Sequence, residues 1–465
     1  MERQPNARLA DVVDQAGVSH LGLASRIGQV AKEWRVPVRP SHTQIARWIE
    51  GQKPRGITAA LIAEALSRKL GRRVTLADIG LEGTTVSPEI GLNFSDVPAD
   101  LVDTLAQLVT ADAQRREFLR STVDVGALTQ AAFGWLLSSP AQLPDGSAGR
   151  RVGMSDVEAI RSTTAMFADL DNRFGGAHAR SAALQYLLDQ IVPLLNGTYA
   201  SAVGRSLFSA VAEFCLSVAW MAYDSGWHGL ARRYFLQALS LAHHADDRML
   251  GASVLSAMSH QATYLGEYRE ALHLARAAQR DLKGRAPALL RAQFAAMEAR
   301  AAANLPDGAG ECLKALDTAA RAFNEHRPGE EPEWIAYFDE SELADEHAHC
   351  FRDLGDARES YRQATRCLSV AEASPAAGGY ARSRIFSRIV LATSLVDQGD
   401  VEQACHIAVR VLPRIQETAS IRCTTYLRDL HNRMRSHSDH PSVIDFTEQA
   451  RPVLQGRQAI SLPKR

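Results

Sequence analysis

Aromatic residues make up only 6% of the 465 positions, and the six cysteines include no CxxC pair. Cys215, Cys312, Cys350, Cys367, Cys405 and Cys423 are scattered along the chain. That pattern excludes a zinc ribbon or a disulfide-knit secreted scaffold, and predicts reduced, mostly buried thiols in a cytoplasmic protein. No run approaches the ~18 apolar residues a membrane helix needs. Met1–Ala10 is polar with no apolar stretch behind it, so no secretory signal is expected. Alternating β-branched and aromatic residues never last four positions, so strands are not expected. Also missing are a Gly-rich phosphate loop and any grouping of nucleophile, base or metal ligands, so we expect no enzyme, cofactor or metal site. His347 and His349 invite a metal reading, but residues two apart on a helix diverge by about 200°. Asp169 and Asp171 diverge in the same way and read as a solvated face or a cap. Gly175-Gly176 reads as a turn.

What the chain does have is helix-forming residues and a lopsided charge. Hydrophobic residues reach 46%, and 465 residues exceed what one core organises, so two to four domains or a domain plus repeats are expected. Net charge is −1, which hides an asymmetry. Residues 1–80 hold thirteen Lys and Arg against seven acids, a net +6, and the remainder carries −7. A basic head on an acidic body points to an anionic partner for the head, nucleic acid being the usual one.

The head reads as short helices with cap signals. Arg8–Ala16 is amphipathic and ends at Gly17. Ser19 caps a second helix with apolar Leu23, Ile27, Val30, Ala31 and Trp34. Pro37 and Pro40 bracket an extended connector. A third helix starts at Ser41, with Gln44 at capping-box spacing, and ends at Gly51 before Pro54. Thr58 caps a fourth helix running to Gly71, and Thr75–Asp78 repeats the cap signal.

Residues Ser41–Arg55 are the most informative stretch. Ile45, Trp48 and Ile49 share one buried face, which leaves the first turn and Arg47 outward. A helix entering the major groove reads bases near its amino end. Ser41, His42, Thr43, Gln44 and Arg47 are the candidate DNA-contacting residues there, Arg47 suiting guanine. Lys53 and Arg55, just past the helix, suit phosphates. This stretch resembles the lambda-repressor/Cro type of helix-turn-helix. Ser19-His20-x-x-Leu23-Ala24-x-x-x-Gly28 is similar to that family's first motif helix. Ile45-x-Arg47-Trp48-x-x-Gly51 is similar to its recognition helix. Here, however, twelve residues separate Gly28 from Ser41, so the second helix is expected to be lengthened and the turn looser.

From Asp156 to about Leu430 the pattern is Ala-rich and helical, with five spaced segments. These are Gly226–His228–Ala231–Phe235–Ala238, Gly266–Tyr268–Ala271–Ala275–Ala278, Asp307–Ala309–Cys312–Leu316–Ala319, Gly355–Ala357–Ser360–Ala364–Cys367 and Gly399–Val401–Ala404–Ala408–Val411. Each pairs a turn residue with small residues that let two antiparallel helices approach. The pattern resembles the tetratricopeptide repeat, with units longer than its usual ~34 residues. The expected fold is all-α: a helix-turn-helix domain (1–81), a linker with connecting helices (82–155), an α-solenoid of tetratricopeptide-like pairs (156–435) and a partly ordered tail (436–465).

The first helix of each such pair lines the concave face. Counting back from each turn gives Trp220, Tyr223, His260, Thr263, Asn304, His349 and Arg352 as groove residues for a peptide, small-molecule or protein effector. The two-part arrangement also resembles actinobacterial helix-turn-helix/tetratricopeptide regulators. Met166–Arg180 and Trp220–Ala242 carry that likeness, which implies a role in differentiation and secondary metabolism. The expected protein is therefore a cytoplasmic, homodimeric transcriptional regulator that binds double-stranded DNA. The alternative is an interaction scaffold whose head docks a protein instead.

Overall fold

A computed structural model of the chain describes residues 4–33, 38–54, 58–72, 74–76, 78–81, 89–95, 97–113, 126–138, 150–282, 286–327, 329–373, 381–418 and 420–456. Trp34 and Arg55 lie outside them, as do positions 82–88 of the expected linker. Among the described residues every regular element is a helix, and the β-pairing is one isolated bridge between Arg151 and Thr198. The chain forms two compact units, residues 1–90 with 106–120 and residues 91–105 with 121–465.

The first unit opens with α1 (Ala7–Gln15), α2 (His20–Glu33), α3 (His42–Ile49) and α4 (Thr58–Leu70). Several of the expected start and stop signals operate, whereas Thr58 is itself a buried residue of α4. Gly17, Gly51 and Gly71 each take positive φ just past a helix. The Gly22 N–H donates to Ser19 Oγ at 3.1 Å, and Thr75 and Asp78 exchange backbone-to-side-chain bonds of 2.7 and 3.2 Å. Leu9, Val12, Leu23, Ile27, Ile45, Trp48, Ile62, Leu66 and Ile79 meet in one core drawn wholly from residues 9–81. Asn6 fastens the entry: its side chain caps α1, its Nδ2 donates to Ile79 O at 2.9 Å, and its N–H donates to Ile49 O at 2.7 Å. Gly51 is required at its turn, since a Cβ there would sit 2.0 Å from Gln4 O.

Next along the chain come α5 (Pro98–Ala113) and α6 (Gly126–Leu137). The array begins with α7 (Met154–Phe174), α8 (Gly176–Tyr186), which continues through a π-helical turn, and the short α9 (Val192–Leu195). Five antiparallel pairs follow. They are α10 (Ser201–Asp224) with α11 (His228–His244), α12 (Arg248–Tyr264) with α13 (Tyr268–Leu282), α14 (Ala288–Ala302) with α15 (Ala309–Asn324), α16 (Glu340–Leu354) with α17 (Ala357–Ala373), and α18 (Ala381–Asp397) with α19 (Val401–Glu417). Helices α20 (Ile421–Arg433) and α21 (Pro441–Gly456) extend the array into the expected tail.

The repeat markers sit where the spacing puts them. Gly226, Gly266, Asp307, Gly355 and Gly399 all turn the chain with positive φ. The residue five places on, Ala231, Ala271, Cys312, Ser360 or Ala404, is fully buried in every pair. Only small side chains fit there: Ser259 Oγ donates to Ala271 O at 2.7 Å, and Ser360 Oγ to Ala348 O at 2.9 Å. The longest step, between the third and fourth segments, is a loop with a 3-10 turn at Glu333–Ile335, tied down by Glu331, which accepts the Leu289 N–H at 3.0 Å.

Part of the expected linker is built into the second unit. Ser95 bonds Ser240 and His244, Gln237 donates to Gly91 O, and Phe94 and Trp135 both pack on His243. Trp135 lies against Gly251, where a Cβ would be 2.0 Å from the ring. This covering explains why every residue of α11 is buried. Helix α10 is apolar and long enough to cross a membrane by composition, yet 72% of its apolar window is buried within the protein.

The array also closes on itself. Asp224, at the end of α10 and fully buried, accepts the Gly176 N–H at 3.0 Å and the Ser420 hydroxyl at 2.7 Å, and Arg382 of α18 approaches it at 3.4 Å. Arg382 also pairs with Asp171 of α7 at 2.8 Å. Asp171 is therefore a buried ion-pair partner rather than a solvated residue, while Asp169 is half-buried and pairs with Arg173. Gly175 makes the α7–α8 turn with positive φ, and Gly176 packs against Met221 O.

Candidate functional site

Two places gather the residues singled out by the sequence, one in each unit. In the first, α3 is eight residues long and held from both ends. Ser41 Oγ accepts the Gln44 N–H at 3.3 Å, and Gln44 Oε1 accepts the Ser41 N–H at 2.9 Å, a full capping box. Gln52 N donates to Arg47 O at 2.8 Å to close the far end. Ile45 and Trp48 are buried, and Ser41, His42, Thr43, Gln44 and Arg47 are exposed. The capping box occupies Ser41 Oγ and Gln44 Oε1, leaving the Gln44 amide N–H groups outward. Arg47 and Lys53 are exposed, and their side chains make no hydrogen bond or ion pair among the described residues. Arg26, Lys32 and Arg39 are exposed on the same unit. Arg39, just before the cap, belongs beside the basic residues that the sequence picks out after the helix. Arg55 lies outside the described residues.

The second place is a cavity of about 1340 Å³ inside the array. It is lined by α7 and by the first helix of each pair, together with the loop 332–338 and α20. This is the concave lining expected of paired helices, and the helical repeat sets which residues face it. On α12 these are Leu250, Ser253, Ser256, Ala257 and His260, and on α16 Glu342, Asp345, Glu346 and His349, following the 3–4-residue step of one helical face.

Of the seven groove residues picked from the sequence, Trp220, His260 and His349 line the cavity. Tyr223 lies fully buried beneath them, its hydroxyl 3.1 Å from His260 Nδ1. Thr263 is buried in α12 away from the lining. Asn304 and Arg352 form an interhelical tie instead: Asn304 Nδ2 donates to Asp353 at 2.9 Å, and Arg352 pairs with Asp353 at 2.8 Å. The count from the turn stopped one or two helical turns short. Stepping back from His349 by three, four and seven positions reaches Glu346, Asp345 and Glu342. The cavity also holds Arg300, Phe386, Arg422 and Tyr426, whose helices α14, α18 and α20 carry no chemical motif.

The electrostatics are those of charges enclosed by protein. Arg300 and Glu346 pair at 2.6 Å, both nearly inaccessible. Asp345 accepts the Ser387 hydroxyl at 2.6 Å and faces His349 Nε2 at 3.5 Å. Burial raises the pKa values of Asp345 and Glu346 above the usual carboxylate range, against the pull of nearby arginines. Glu342 is part-exposed, and the protein around it, with Asp345 and Glu346 close by, raises its pKa well above that range. Burial, reinforced by Arg422 and Arg300, holds His260 far below the usual imidazole range and so neutral. Arg422 lies over Tyr223 at 4.4 Å, Phe386 at 4.7 Å and Tyr264 at 5.8 Å. Among the described residues no group of His, Cys, Asp and Glu has metal-binding geometry. His347 lies beside Phe351, whereas His349 lies beside Tyr426.

Comparison with known proteins bears on the first unit alone. Residues 9–82 match the family model of the SP15 N-terminal domain. The match begins in α1 and ends at the composition break after Leu81, so it spans the helices that share the first core. No curated protein matches the chain.

Proposed function

We propose that the protein is a cytoplasmic DNA-binding transcriptional regulator. On this reading the first unit is a helix-turn-helix domain and α3 is its recognition helix. The array is a tetratricopeptide-like solenoid that mediates dimerisation and takes an effector in its cavity. One observation carries the reading: α3 is capped and anchored by Ile45 and Trp48, while His42 and Thr43 in its first turn and Arg47 in its last are exposed, Thr43 Oγ1 accepting only from the capping Ser41 hydroxyl at 3.5 Å. Polar side chains on a fixed helix, beside unpaired Lys53 and Arg39 in a basic head, are what base and phosphate contacts require. Lengthening of α2 to Glu33 supports the looser connection inferred from the sequence.

The test is selection of genomic fragments with the full chain at about 0.1–0.15 M salt, where contacts to phosphate alone are weakened. Recovery of a shared sequence, lost on Arg47→Ala, supports the regulator. An absence of DNA binding even at low salt would leave the scaffold, with α3 docking a protein.

A further inference from the structure

Most charges in the cavity find their partners within the protein. Arg161 meets Glu213 at 3.2 Å, Arg300 meets Glu346 at 2.6 Å and Arg382 meets Asp171 at 2.8 Å. Among the described residues three lining groups do not, and of these Glu333 is exposed to solvent whereas Glu342 and Arg422 are not. Glu342 makes no hydrogen bond or ion pair through its carboxylate; its backbone N–H alone is engaged, with Asp339. Arg422 is only 6% exposed, makes no hydrogen bond or ion pair, and has a buried Nε with no acceptor. What its guanidinium meets are the ring faces of Tyr223, Phe386 and Tyr264. Asp224 attracts Arg422 only from beyond ion-pair distance; an enclosed charge without a paired counter-ion raises the free energy of the folded state, and a ligand that supplies one offsets that cost. The two groups are of opposite sign and line one cavity. A purely anionic ligand would leave Glu342 and its neighbour Asp345 facing it, and a purely cationic one would leave Arg422.

We propose that the cavity takes a small zwitterion, an amino acid or short free-ended peptide, with its ammonium against Glu342 and its carboxylate on Arg422. Asp345 lies one helical turn from Glu342 and adds to the negative end. Trp220, Phe386 and Tyr426 supply apolar and π surface for the body of the ligand. The volume exceeds the ~300–1,000 Å³ usual for small-molecule pockets, so more than one residue fits. The ligand class rests on the reading of the array as an effector-binding unit.

Thermal-shift and calorimetric titration of the full chain test it. The probes are the standard amino acids and free-ended dipeptides, each beside its N-acetylated and C-amidated form. At least one free-ended probe should raise the melting temperature. Its N-acetyl form should fail, and its amide should bind about tenfold or more weakly, as for a lost charged hydrogen bond. Glu342→Gln should remove the response while leaving the ligand-free melting temperature equal or higher, which keeps the test valid even if Arg422 variants do not fold. Equal binding of acetylated and free probes, an unchanged response in Glu342→Gln, or no shift with any probe overturns the proposal. Binding to a selected DNA fragment, measured in parallel, separates the two readings. DNA binding without a zwitterion response overturns only the ligand class. A zwitterion response in a chain that does not bind DNA overturns only the regulator.

Discussion

Single side chains carry different kinds of work on α3 and in the cavity. Arg47 projects from an exposed helical face, and Lys53 from the chain beyond it. On the regulator reading, Arg47→Ala should cost about 1–3 kcal/mol of discrimination at one base position. Lys53→Ala should weaken all sequences alike and lower the salt slope by about one. Competition binding against a panel of point-mutated sites at several salt concentrations distinguishes them; a reversed outcome would place α3 in the wrong register. Glu342 makes a second residue-scale prediction, this time for stability. A carboxyl whose folded pKa is raised holds its proton more tightly when folded. Its contribution is therefore fully present below the unfolded value, near 4.5, and is lost as pH climbs through the folded one. Glu342→Gln stays neutral throughout. It should melt above the parent at about pH 8 and near it at pH 4 or below, as calorimetry across that range would show.

At the scale of elements, the array is held shut by few but costly contacts. Asp224 joins the end of α10 to the start of α8, to α18 and to the entry of α20. Asp224→Ala would leave two buried donors, the Gly176 N–H and the Ser420 hydroxyl, without an acceptor while Arg382 keeps Asp171, a loss of about 2–5 kcal/mol. A drop in the urea midpoint of that size, with little further loss from adding Ser420→Ala, is expected; independent additive losses would contradict a shared cluster. The first unit supports a different element-scale expectation. Among the described residues, one core cluster of this unit is drawn from residues 9–81, and Asn6 ties its entry to both Ile49 and Ile79. A fragment of residues 1–82 should therefore be helical and melt cooperatively; a coil-like circular dichroism spectrum would refute this.

For the whole molecule, on the regulator reading, the number of DNA-reading heads would decide affinity. One eight-residue helix reads a short half-site, and adequate binding needs two, about one helical turn apart. The protein should thus be a dimer on DNA, protecting paired half-sites in footprints and doubling in mass by light scattering. A monomer protecting one half-site would reject the dimer while leaving α3 as the reading helix.

The local rules of the sequence were sufficient for the helices, their caps and the repeat turns. Ser41 with Gln44, Thr75 with Asp78, and glycine before a small residue all specify structure within a few positions, so neighbours along the chain decide the outcome. The 3–4 step also placed Trp220, His260 and His349 on the inner face. Tertiary structure alone decided which inward residues become cavity and which become ties. Asn304 and Arg352 lost their solvent to Asp353, a partner 49 residues from Asn304. Asp171 changed from a surface acid to the partner of Arg382, 211 positions away. Arg422 and Glu342 carry no motif, and their importance comes from what packing leaves unmatched. Such facts depend on how five pairs curve and close, and that curvature sums small rotations that no single repeat encodes.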